Sequence, residues 1–348
     1  MENTSNSVAS EAKSPVPPKL SRYIHSNYLP KQSLLSLALY LSTTSVSSAN
    51  LPWATYNDAG LKALKEAQYG KAETSLKTGL KVAEEAGLDT PAVATCLNGL
   101  ALLYFTEGDY TMAEPLYKRS LAIREKTLGP DNLDVAIGLC NLAALFCQQG
   151  RYAEAEPLYQ RSLVIKEKIL GPNHSSLAIG MSNLAWLYSR QGKYAEAESL
   201  YKHSLSIKVT AASGTNDIDV AEGLNNLAGL YCQQGRPELA APLCKRAVSL
   251  KENSLGHNHP DLANGLCNLA GVYAMQGNFA DAELTYKRSL AMWEKSLGPN
   301  HPIVATNLSN LAGVCQQQGK LGEAEALNAR SISIREKNFR TKSYKSGQ

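Results

Sequence analysis

Five asparagines, Asn141, Asn183, Asn226, Asn268 and Asn310, recur 42, 43, 42 and 42 residues apart. A side-chain amide carries both a donor and an acceptor, the two polar groups that a peptide backbone presents. A column of such amides could therefore hold an extended chain. Seven positions further on, three of them are followed by Gln148, Gln233 and Gln317, and Asn183 by Arg190. Three positions on stand the small residues Ala144, Gly229 and Gly313, which leave room, whereas Trp186 takes that place after Asn183. An aromatic on a groove wall could anchor a partner side chain; it could equally pack over a local irregularity. The asparagines, too, could simply bond a neighbouring unit's backbone.

Other chemistry is weakly signalled. A hydrolase or transferase needs a nucleophile beside a base, or a metal cluster, unique to one pocket. Here His174, His259 and His301 fall one repeat or more apart in short turns and read as turn residues. His257 and His259 could share a metal but lack a third ligand. The cysteines, seven in all, show no C-x-x-C spacing, so neither a zinc site nor a disulfide framework is indicated. No Gly-rich phosphate loop is present. Catalytic, metal and cofactor-binding residues are accordingly expected to be none. Arg119, Arg161, Arg246, Arg288 and Arg330, with His203 in the missing slot, form another column, for which salt bridging is the expected role over a strip for an acidic peptide.

These columns exist because the sequence repeats. Gly108, Gly150, Gly192, Gly235, Gly277 and Gly319 are spaced by 42, 42, 43, 42 and 42 residues. In the third unit, Leu142, Ala143, Leu145 and Phe146 form a stripe at helical spacing, and Gly150 stops that helix. A second stripe follows (Ala155, Leu158, Tyr159, Ser162, Leu163, Ile165) and ends at Leu170-Gly171-Pro172. Each unit is thus predicted to be an antiparallel helix pair. Neither helix buries its stripe alone, so the pairs must stack, with Ala143, Ala185, Ala228, Ala270 and Ala312 at the close approaches. The predicted fold is all-α: a right-handed α-solenoid of about seven stacked pairs, exposing the amides along one inner wall. The first unit is degenerate, with Ala67 in the glycine slot, as suits a terminal cap. The fourth ends in a longer polar turn, Val209 to Asp219.

Leu-x-Tyr, Gly-x-Tyr-x-x-Ala and the later Tyr and Ala/Ser positions resemble the tetratricopeptide repeat. The 42-residue form, with Asn-Leu-Ala, Glu-Pro-Leu-Tyr and Leu297-Gly298-Pro299-Asn300-His301-Pro302, resembles the kinesin light chain type. No amino-terminal heptad coiled coil is visible, so the resemblance is to a bacterial-style member rather than a motor subunit. It implies first helices lining a concave groove whose asparagines grip extended peptides.

Three segments are expected: a disordered leader over 1–49, the solenoid over 50–338 and a basic tail over 339–348. The leader combines upstream basic residues, the apolar run Leu34 to Leu41 and a small-x-small end at Ser47-Ser48-Ala49, the three parts of a secretory signal cleaved after Ala49. Unpaired cysteines point the other way, to a compartment where thiols stay reduced. An exported or periplasmic location is favoured, with a cytoplasmic one as the alternative. No apolar stretch reaches the length of a membrane span. The net charge of +4 in 348 residues is too small for nucleic acid to be the expected partner. The expected function is a non-catalytic protein–protein interaction scaffold holding an extended segment of a partner protein. The alternatives are an architectural, self-assembling solenoid and a cargo adaptor of the kinesin light chain kind.

Overall fold

The computed structural model describes residues 52–211 and 217–345, with side chains to 338. The expected leader and the middle of the irregular turn after repeat four lie outside the described residues. Fourteen helices follow one another: α1 Pro52–Lys65, α2 Tyr69–Glu85, α3 Pro91–Glu107, α4 Tyr110–Leu128, α5 Leu133–Gln148, α6 Tyr152–Leu170 and α7 Ser175–Arg190; then α8 Tyr194–Ala211, α9 Asp217–Gln233, α10 Pro237–Leu255, α11 Asp261–Met275, α12 Phe279–Leu297, α13 Pro302–Gln317 and α14 Leu321–Lys345. Among the described residues there is no strand. The last helix runs through most of the segment expected as a tail.

The chain divides into two compact units, with the boundary between residues 230 and 231 inside α9. In the first unit α1 packs on α2, α3 on α4, α5 on α6 and α7 on α8. α2 also packs on α3, α4 on α5 and α6 on α7, and first helices touch along α1–α3 and α5–α7. The second unit repeats the arrangement, with α11 on α12, α13 on α14, α10 on α11, α12 on α13, and α11 touching α13. This is the all-α solenoid architecture that the repeat demands.

The two helices of a repeat are buried unequally. In α5 every residue from Val135 to Cys147 is buried, while α6 buries only Ala155, Tyr159, Ser162, Ile165 and Lys166. The alanines at the predicted close approaches, Ala143, Ala185, Ala228, Ala270 and Ala312, are all fully buried. Turns between paired helices use the left-handed region, as at Gly108 with φ 88°. Ala67, in the glycine slot of the first repeat, is forced to φ 57° and is the sole non-glycine there among the described residues. For an L-residue that conformation costs about 1 kcal/mol.

A serine bond, not anticipated from the pattern, ties five of the seven pairs. Ser120 Oγ donates to the Ala94 carbonyl, Ser162 to Ala136, Ser204 to Ala178, Ser289 to Ala263 and Ser331 to Ala305, at 2.6–2.8 Å. All five serines are buried, where a satisfied hydroxyl stabilises and an unsatisfied one would cost. Repeat five has Ala247 instead.

Candidate functional site

The turns that join repeats also orient the first helices. His174 Nδ1 accepts from the Ser176 amide at 3.2 Å, His259 Nδ1 from Asp261 at 3.3 Å and His301 Nδ1 from Ile303 at 3.2 Å. These imidazoles act as helix caps, each taking up one of the amide donors that a helix start leaves without a partner. His257 lies beside Glu252, 3.5 Å from its carboxylate. Four of the five column arginines make ion pairs between successive repeats: Arg119–Glu84, Arg161–Glu125, Arg288–Glu252 and Arg330–Glu294, at 2.6–2.8 Å.

The glutamines divide into two kinds. Second glutamines can reach the preceding repeat: Gln149 Nε2 donates to Glu114 at 3.4 Å and Gln191 Nε2 to Glu156 at 3.1 Å, whereas Gln234 Oε1 accepts from Arg236 at 3.1 Å. The same carboxylates bind Arg151 at 2.7 Å and Lys193 at 3.0 Å. In the second unit Lys287 and Lys320 both hold Glu283 at 2.6 Å, which lowers its carboxyl to about 2. Glu283, Cys315 and Glu323 lie close enough to share a cation. However, Lys287 also reaches Glu323 at 3.0 Å, so those acids are already neutralised by lysines. The first glutamines, Gln148, Gln233 and Gln317, have no partner among the described residues; Gln317 is exposed and the other two half-buried.

Along the first helices the asparagine column is not uniform. Asn141 is 7% exposed, and its Nδ2 donates to Asn98 Oδ1 in the preceding repeat at 2.8 Å. Asn310, 4% exposed, points its Nδ2 at Cys267 Sγ, 3.9 Å away. Asn183, Asn226 and Asn268 are half-buried, and their amides have no partner among the described residues. The two end members thus turn towards a neighbouring repeat, while the three middle ones keep their donors and acceptors unused.

Trp186 is half-buried and meets Tyr152 edge to face, with ring centroids 6.3 Å apart. It packs against the core of the first unit, as well as sharing a helix face with Asn183 and Arg190. Arg190 closes α7, exposed, with no acidic partner among the described residues. Beside Asn310, Gly313 is open: a Cβ there would meet nothing within 4 Å. Four residues before each asparagine the same face continues as Ile137, Ile179, Glu222, Asn264 and Thr306, with Glu222 and Asn264 exposed and Ile179 and Thr306 half-buried. The spacing i−4 could have found them; attention to the amides alone did not. The face runs from an isoleucine in repeats three and four to polar residues in the next three.

The chain belongs to the tetratricopeptide repeat family. Tetratricopeptide repeat models match residues 134–208, 219–295 and 285–337, and others match 93–134 and 182–254. Comparison with curated proteins gives no match. Solved structures share the fold. The quorum sensor NprR of B. thuringiensis, in its apo form, aligns at TM-score 0.65 and 18% identity over 91% of this chain and 86% of its own. BtubC (BKLC) from P. vanneervenii aligns at 0.52 and 23% identity, over 73% and 94%. The TPR-like repeats assigned to a kinesin light chain of Podosopora anserina align at 0.52 and 24%, over 60% and 97%. No described helix is long and apolar enough to cross a membrane.

Proposed function

We propose that this protein is a non-catalytic scaffold whose first-helix faces hold an extended segment of a partner protein. The observation that carries this reading is the set of three half-buried, unpartnered amides at Asn183, Asn226 and Asn268, one repeat apart. A half-buried amide without a protein partner bonds to water, which a peptide backbone, carrying both a donor and an acceptor, can replace. In the first unit, helix pairs packed about 10 Å apart would let Asn183 and Asn226 meet an extended chain about three residues apart. Ile179 and Trp186 offer apolar contact on the same face of α7, and Arg190 a cation with no acidic partner among the described residues. Asn183 and Asn226 serve the first unit, and Asn268 offers the same chemistry in the second. Being a tetratricopeptide repeat protein, as NprR and BtubC are by fold, is consistent with a protein partner.

The test begins with peptides selected by display against the full chain. Their affinity is then measured for the wild type and for the triple variant Asn183→Ala, Asn226→Ala, Asn268→Ala. The two hydrogen bonds lost in the first unit, at about 1 kcal/mol each, correspond to roughly 30-fold weaker binding of a peptide held there. Unchanged affinity in a triple variant with native circular dichroism would reject the assignment.

A further inference from the structure

The repeat register aligns one residue of each first helix with one 26 positions later on the second helix. The pairs are Asn98 with Arg124, Cys140 with Lys166, Ser182 with Lys208, Asn225 with Lys251, Cys267 with Trp293 and Ser309 with Arg335. Two of these second-helix cations reach a main-chain oxygen of the following repeat: Arg124 donates to the Asp134 carbonyl at 2.9 Å and Lys251 to that of Asp261 at 3.3 Å. Arg335 instead donates to Ser309 Oγ at 3.4 Å. Lys166 has neither a carbonyl nor a hydroxyl. Its Nζ donates to Cys140 Sγ at 3.7 Å, and that thiol is its one partner among the described residues.

Both groups are deep in the third helix pair, each 2% exposed. Cys140 Sγ also lies 3.0 Å from Ser162 Oγ. The serine hydrogen is already given to the Ala136 carbonyl at 2.6 Å. The thiol hydrogen therefore points at Ser162, and a sulfur lone pair is left facing the lysine nitrogen. A sulfur lone pair and a nitrogen are thus held in contact, both buried. Cys147, on the same helix, is two turns away, about 10 Å along the axis, beyond the span of a disulfide.

We propose that Cys140 and Lys166 form a peroxide-responsive covalent bridge between α5 and α6. The Cys140 sulfur attacks hydrogen peroxide: an S–O bond forms, the O–O bond breaks, and water leaves, giving the sulfenic acid. The Lys166 ammonium first gives its extra proton to solvent water, and the neutral nitrogen then attacks that sulfur. An S–N bond forms, the S–O bond breaks, and the departing hydroxide takes a proton from nitrogen to leave as water. The sum is thiol plus amine plus peroxide giving a sulfenamide and two waters, with sulfur oxidised by two electrons and the peroxide reduced by two. An added dithiol reverses it by reducing sulfur back to the thiol and becoming a disulfide. Cys267 provides an internal control, since the same register places Trp293, which has no amine, opposite it.

The full-length chain is treated with hydrogen peroxide, digested and mapped by mass spectrometry. The expected product joins the Cys140 and Lys166 peptides at a mass two hydrogens below their sum, and dithiothreitol removes it. Cys267 gives no lysine adduct. In Lys166→Arg, which installs the residue found at positions 124 and 335, the bridge is lost and Cys140 gains oxygen atoms instead. Should that variant not fold, Cys140→Ser, the residue of repeats four and seven, must abolish the bridge equally. The proposal is overturned if folded wild-type chain leaves Cys140 unmodified, carries it past the sulfenic acid without a bridge, or joins it to a residue other than Lys166.

Discussion

Repeats three and four carry the same asparagine on the same face of a first helix, yet the two side chains are occupied differently. Asn141 has an acceptor, because the preceding repeat places Asn98 within 2.8 Å of it. For Asn183, the residue in the place of Asn98 is Cys140, whose thiol is already engaged by Ser162 and Lys166. The amide of Asn183 is left without a partner, beside Trp186 and Arg190. A repeat copies residues, but a residue's role depends on its neighbour one repeat away. That contrast separates a structural asparagine from one free to bind.

The sharpest way to break the contrast is to remove each amide in turn. Asn141→Ala should cost about 2 kcal/mol, because it strands the buried Asn98 oxygen. Asn183→Ala should cost under about 0.5 kcal/mol, as a change at a half-buried side chain with no partner. Urea unfolding followed by circular dichroism checks both, and equal losses would erase the distinction. Next in size is the serine tie. Ser204→Ala removes the bond to Ala178 and should cost about 1 kcal/mol, giving repeat four the alanine that repeat five carries at Ala247. The first repeat can be compared with its successors in the same way. Ala67→Gly relieves the left-handed strain and should raise stability by about 1 kcal/mol, read as a higher unfolding midpoint.

The smallest effect concerns Glu283, held by Lys287 and Lys320, whose equivalent in repeat five is Ala241. Its carboxyl is lowered from 4.5 to about 2 in the folded chain. A lowered acid stabilises the folded state above the unfolded value, and the gain is lost as pH falls from about 4.5 to about 2. Glu283→Gln should flatten that part of the stability profile by a fraction of a kcal/mol, measured as the urea midpoint against pH.

Much of the architecture is legible in the sequence. The 42-residue period, the glycine stops and the closing Leu-Gly-Pro turns predict paired helices, and fourteen helices follow in order among the described residues. Ala67 reads correctly as an occupant of a glycine slot, and the turn histidines as turn residues. The serine ties were legible only as generic small positions, since a hydroxyl and a methyl suit the same helix stripe. The Cys140–Lys166 contact was invisible, because 26 residues of turn and helix separate two side chains that no local pattern relates.

The sequence alone determined that the chain must stack helix pairs, because periodic apolar stripes can be buried in no other way. It also determined which face carries the amides, because helical spacing is a local property. Only the tertiary structure decided which amides are already bonded. A hydrogen bond requires an acceptor within about 3 Å, and here that acceptor comes from the adjoining repeat, about 43 residues earlier, at a distance set by how two helices pack.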